Sequence, residues 1–98
     1  MQFSVKVTEY QKNKMLNICD SELLGKDIIQ DELTMNISRN YYGGKIVNID
    51  EAKNLLKTSS IINMVGNDTI SLAIELGIGS ENGVKTISGV PFLIVFQM

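Results

Sequence analysis

Apolar and polar residues alternate with a period of two from the start of the chain: Phe3, Val5 and Val7 are interleaved with Gln2, Ser4, Lys6 and Thr8. Successive side chains on a strand point to opposite faces, so this pattern predicts a half-buried strand. Polar YQKNK supplies a turn, and Met15 to Cys19 returns as a second apolar run, which completes an N-terminal β-hairpin. Asp20 then caps a short turn through Glu22, Leu23 and Leu24. Gly25 closes it, because a residue without Cβ tolerates the left-handed conformation that stops a helix. After a polar loop at Asp31 and Glu32, Leu33, Met35 and Ile37 alternate with Thr34, Asn36 and Ser38 and predict another strand.

Beyond a short strand at Ile46 and Val47 the spacing becomes helical. Asn48 with Glu51 three residues on is a capping-box-like start. Ile49, Ala52, Leu55 and Leu56 form the inward stripe, with Asp50, Lys53, Asn54 and Lys57 opposite. The segment TSSIINMVG satisfies both a helical spacing and a buried strand, and is read here as a short helical turn. Asn67 is read as the N-cap of a further helix whose Ile70, Leu72, Ala73, Ile74 and Leu76 face inward, closed by Gly77 and Ile78. GSENG is a loop, a strand runs up to Ser88, and Phe92 to Phe96 forms another, with Pro91 as a break or an edge. The expected fold class is α+β. One small domain over residues 1–98 has an N-terminal β-hairpin and further strands in a mainly antiparallel sheet packed against two or three helices.

Charge and composition narrow the function classes. Nine basic and eleven acidic residues give a net charge of −2, so there is no global attraction to phosphate backbones. RNA binding would need Lys12, Lys14, Lys26 and Lys45 gathered on one face beside an exposed tyrosine. The sequence contains no histidine and a single cysteine, Cys19, which removes most zinc sites, every Ser-His or Cys-His catalytic pair and any internal disulfide. The start of the chain lacks a basic segment followed by an apolar one, so the expected location is cytoplasmic. The apolar run from Pro91 to Phe96 is far short of the ~20 residues of a spanning helix, and no membrane partner is expected.

Some stretches could still carry chemistry. In RNYYGGK, Tyr41 and Tyr42 offer flat faces for base stacking, Gly43 and Gly44 allow close backbone approach, and Arg39 and Lys45 can neutralise phosphate. The structural alternative is a tight hairpin turn at Gly43-Gly44 with positive φ and one tyrosine packed on the core. GIGSENG lacks the spacing and the strand-to-helix setting of a dinucleotide loop. The carboxylate pairs Asp20 and Glu22, Asp31 and Glu32, and Asp50 and Glu51 are read as caps, loop residues and helix-start charges. Asn63, amid apolar neighbours, needs a hydrogen-bond partner, expected from the backbone. The tail segment Phe92, Leu93, Ile94, Val95 and Phe96 is either core or an interaction strand for a protein partner or homodimer. If it is an interface, deletion of Leu93 to Met98 leaves the fold intact; if core, deletion unfolds the chain.

Five segments in order, CDSELLG (Cys19 to Gly25), YYGG (Tyr41 to Gly44), SIINMVG (Ser60 to Gly66), AIELG (Ala73 to Gly77) and GVP (Gly89 to Pro91), resemble the archaeal domain of unknown function 424 family over nearly the whole chain. The resemblance implies a single α+β domain in an archaeal cell, in a family with no established activity and an expected setting in translation or RNA. Members commonly carry a histidine after Gly-Val-Pro. Phe92 follows here and an apolar tail continues, so any role depending on that histidine is in question for this chain. The reading is a non-enzymatic binding module without catalytic residues, cofactor or metal. Its partner is RNA or a ribonucleoprotein through Arg39, Tyr41, Tyr42, Gly43, Gly44 and Lys45; the alternative is a protein–protein adaptor using the apolar C-terminal segment.

Overall fold

The structure is a computed structural model and describes residues 1–97. The chain opens with β1 (Phe3–Tyr10) and β2 (Asn13–Asp20), the expected hairpin, joined by Gln11 and Lys12, both at positive φ. A 3-10 turn at Ser21–Leu23 leads to a second hairpin, β3 (Asp27–Gln30) and β4 (Leu33–Asn36). One helical turn, α1 (Arg39–Tyr42), precedes β5 (Lys45–Val47), α2 (Ile49–Thr58), β6 (Ile61–Val65) and α3 (Asn67–Glu75). After a 3-10 turn at Glu81–Gly83 the chain ends with β7 (Lys85–Ile87) and β8 (Val90–Phe96). The main sheet has the order β5-β1-β2-β6-β8-β7, and only the central β2–β6 pair is parallel. The fold is α+β, with a mainly antiparallel mixed sheet, a separate two-stranded sheet and three helices.

Strand register sorts the side chains into two faces. Phe3, Val5, Leu16, Ile18, Ile62, Met64 and Leu93 point to the side covered by α2 and α3, where Ala52, Leu56, Ile70, Leu72 and Ala73 complete the main core. On the other side, Cys19 and Val65 pack with Ile28 and Ile37 of the second hairpin, and with Leu24, Tyr42 and Phe92, in a smaller core. The segment 61–65, expected as a helical turn, is therefore a central strand. Ile62, Met64 and Val65 are buried while Ile61 and Asn63 are half-buried, and with Asn63 as its one polar residue the run carries no alternation to betray it.

Two further expectations change for local reasons. Pro91 lies inside β8 opposite Thr86 and does not break it. The β6 ladder ends at the Val65–Phe92 pair, so the missing donor of Pro91 leaves no rung empty, and its carbonyl still accepts from the Gly66 amide at 3.0 Å. The turn sits earlier, at Ser88 and Gly89, both at positive φ. Asn67 is likewise not the N-cap of α3. That position belongs to Gly66 at φ +110°, and the cap itself comes from Asp20 at the end of β2. Its carboxylate accepts from the Thr69 amide at 2.8 Å, the Thr69 hydroxyl at 2.7 Å and the Asp68 amide at 3.1 Å. A Cβ on Gly66 would fall 2.4 Å from the Asp20 Cγ.

The expected start of α2 holds at Asn48, whose side chain accepts from the Glu51 amide at 2.9 Å, while the Glu51 carboxylate pairs with Lys45. At the other end, the Gln97 side-chain amide donates to the carbonyls of Leu56 and Ser59, both at 3.0 Å, which ties β8 to the helix C-terminus.

Substituting Asp20→Ala removes three hydrogen bonds from buried donors and should destabilise the protein by about 2 kcal/mol or more in urea unfolding. Gly66→Ala, both strained and overlapping, should lower stability by at least about 3 kcal/mol in the same assay. Deletion of residues 93–98 takes away buried Leu93 and the Gln97 cap, and circular dichroism should then show loss of cooperative unfolding.

Candidate functional site

RNYYGGK is not a hairpin turn. Ser38 caps the turn of helix by accepting from the Tyr41 amide at 3.0 Å, and Gly43 has an ordinary negative φ of −100°. Close approach explains both glycines: a Cβ on Gly43 would lie 2.6 Å from the Arg39 carbonyl oxygen, and one on Gly44 would lie 2.6 Å from that of Val5. The carbonyls at the end of α1 have no helical partners, and side chains rising from the sheet satisfy them in succession. Lys6 Nζ donates to Asn40 at 2.6 Å, Asn17 Nδ2 to Tyr41 at 3.0 Å and Ser4 Oγ to Tyr42 at 2.9 Å. The adjacent tyrosines lie edge to face with centroids 5.1 Å apart; Tyr42 is half-buried and Tyr41 exposed.

The structure divides the charges of this stretch. Lys45 shares its register position with Val5 and projects to the helix side, where its ammonium is 2.6 Å from Glu51. Arg39, Gly43, Gly44 and Lys45 still border one cleft of about 290 Å³ with Ser4 and Ile46. Lys12 sits at the tip of the first hairpin, Lys14 pairs across to Glu9, and Lys26 precedes β3. These four lysines are scattered and do not gather beside Tyr41.

A different surface emerges from the register. On the face opposite α2 and α3, Ser4, Cys19, Val65 and Phe92 form a row across the sheet that the small hairpin and α1 cover. The next two rows, Lys6–Asn17–Asn63–Ile94 and Thr8–Met15–Ile61–Phe96, have no such cover at their β8 end. Ile94 is 60% exposed and Phe96 is 72% exposed, whereas Leu93 between the faces is 4% exposed. The tail divides: Leu93 and Val95 belong to the core, Phe92 to the smaller core, and Ile94 and Phe96 to the surface.

Asn63 finds its partner in another side chain, not in the backbone. The Tyr41 carbonyl can only accept, so buried Asn17 must donate to it and turn its own oxygen to the Asn63 amide, 2.7 Å away. That relay fixes both amide orientations and leaves the Asn63 oxygen for the cleft of about 330 Å³ that Tyr41, Tyr42, Phe92, Ile94 and Lys85 also line. No sequence signal pairs Asn17 with Asn63; the parallel register alone sets them side by side.

The remaining reactive groups are held in neutral or occupied states. Burial, reinforced by the charges of Asp20 and Glu22, pushes the Cys19 thiol up to about 12. Burial likewise pushes the Tyr42 phenol up to about 12, with Tyr41 and Cys19 adding to it. Among the described residues, Asp20, Glu22 and Asp68 bring ligand oxygens within 4.8 Å of one another, the one grouping that could hold a cation. Asp20 there already caps α3, and the Asp68 carboxyl is raised by desolvation and by its two acidic neighbours.

The Cys19 and Tyr42 shifts set a pH dependence. In the unfolded chain these groups ionise from about pH 9 and 10, while the folded protein keeps them protonated. Stability should therefore be full below pH 9 and fall between pH 9 and 12, measured as a declining urea midpoint. Cys19 should also resist alkylation by iodoacetamide at pH 8 until denaturant is added.

A family model described as "Protein of unknown function (DUF424)" matches residues 8–98. No curated protein matches the chain. Among solved structures, the crystal structure of an uncharacterized conserved protein from Methanopyrus kandleri superposes with a TM-score of 0.80 at 22% identity, covering 100% of this chain and 95% of that one. That likeness concerns the fold.

Proposed function

The chain belongs to the DUF424 family, and from that premise we propose that it is a non-enzymatic interaction module whose contact surface is the open half of its sheet and whose partner is a protein. The observation that carries this reading is the outer face of β8. A strand with one side in water ordinarily alternates apolar with polar residues, yet Ile94 and Phe96 stand exposed beside half-buried Met15 and Ile61. The scatter of lysines and the engagement of Lys6 and Lys45 by protein acceptors favour a protein over RNA. The protonated, buried thiol and the capped Asp20 are, among the described residues, poorly placed as nucleophile or base, which favours binding over catalysis.

The test is a pull-down from lysate of the host cell, with and without RNase, using wild type and Met15→Gln with Ile61→Gln, both on the open face. RNase-insensitive recovery of a specific protein that falls at least about tenfold in the double variant is the expected result. Recovery of RNA, abolished by Arg39→Ala with Tyr41→Ala and unaffected by the open-face variant, would replace this reading with the nucleic-acid one.

A further inference from the structure

β8 offers more than a face. β7 holds its outer side only as far as the Lys85–Phe92 pair, so the stretch beyond Phe92 has a partner in β6 and none opposite. The Pro91 carbonyl accepts from Gly66, and the Gln97 amide donates to Ser60 at 2.7 Å, so both of these positions turn their backbone inward towards β6. Backbone groups of an antiparallel strand alternate between its two neighbours, and Ile94 and Phe96 therefore turn their N–H and C=O outward. No turn or loop backbone bond reaches either residue among the described residues.

Within the described part of the strand no charge guards this edge, and Lys85 at the start of β7 is the cation in the lining of the Ile94 cleft beside it. Residues 90–97 carry no charge, and Pro91 faces the other way. The opposite edge of the sheet is different: where β5 ends, the free part of β1 presents Lys6 and Glu9. Charged edges of that kind discourage pairing with another chain, and an uncharged one of even register invites it.

We infer that the protein forms a two-fold symmetric dimer in which the free edge of β8, Ile94 to Phe96, pairs antiparallel with the same edge of a second copy. The inference rests on the reading of this end of the sheet as an interaction surface, and it names a second copy as the occupant of the edge. Outward backbone groups meet in registers centred on Ile94, Val95 or Phe96, and only the one centred on Val95 pairs the two exposed side chains with each other. Ile94 against itself would place the partner's Phe96 beside Phe92, whose edge β7 already holds. Ile94 opposite the partner's Phe96 avoids this, aligns the outward backbone groups in hydrogen-bonded pairs and keeps like faces together. Each exposed isoleucine then lies against an exposed phenylalanine, and Val95 meets the partner's Val95 at the two-fold axis. No like charges meet, although each copy carries a net charge of −2. The two open faces become one continuous surface, with the partner's Phe96 beside the cleft that Ile94 lines.

Val95 occupies a non-hydrogen-bonded pair in this register, with Cα atoms about 4.5 Å apart, a separation a disulfide spans. Purified Val95→Cys should therefore oxidise to a disulfide-linked dimer, while Tyr10→Cys at the exposed tip of the first hairpin should not. Sedimentation equilibrium of the wild-type protein should show a dimer that Phe96→Lys converts to monomer with unchanged circular dichroism, and hydrogen exchange should show the Ile94 and Phe96 amides losing protection on dilution. A wild-type monomer at high micromolar concentration would overturn the inference, and so would a dimer that Val95→Cys fails to cross-link. The open-face variant Met15→Gln with Ile61→Gln leaves β8 intact, so loss of lysate capture without loss of the dimer separates the two readings.

Discussion

The carboxylate of Asp20 is the point on which the architecture turns. It stands at the end of β2, buried, and takes the first amides of α3 as its hydrogen-bond donors. Helix N-termini carry unsatisfied donors and partial positive charge, so an anion placed there satisfies both needs together. Gly66 makes the contact achievable, because any side chain at that position would occupy the volume of the carboxylate. One strand thereby fixes where the next strand ends and where the following helix begins, and the parallel β2–β6 pairing is locked to the packing of α3 on the sheet.

From that frame the two faces acquire different fates. The helix side closes into a continuous core. The other side is closed only near α1, whose terminal carbonyls are held by Lys6, Asn17 and Ser4, and the rows beyond it stay open. The hydrogen bonding that secures α1 occupies Lys6, Asn17 and Ser4. Among the described residues the open rows present apolar surface, the amide oxygen of Asn63 and a strand edge, the features on which the proposal of a protein partner rests.

Much of this was legible in the residues. The first hairpin, the Asn48 cap, the amphipathic α2 and the five segments of the family all follow from local pattern. The misreadings share one cause, which is that long-range contact supplied what the local pattern could not show. The segment 61–65 looked equally helical because Asn63 is its one polar residue and no alternation marks it, and β3 passed unnoticed because only Ile28 of its four residues is buried. Asn67 looked like a cap because the true cap lies far away in sequence. For the site, Arg39 and Lys45 border one cleft but the Lys45 ammonium is drawn to Glu51 on the helix side, while Asn17 and Asn63 formed a group in space that sequence keeps apart.

The single parallel pair has a consequence for assembly. β1 with β2, β3 with β4 and β7 with β8 are neighbours joined by short turns, and each can zip from its own loop. β6 can join β2 only after everything from Ser21 to Ser60 has been looped out, and β5 joins β1 across a span of similar length, closures that chain entropy opposes. The sheet is thus stitched together from hairpins that form on their own. Its most buried seam is one that no local turn can start.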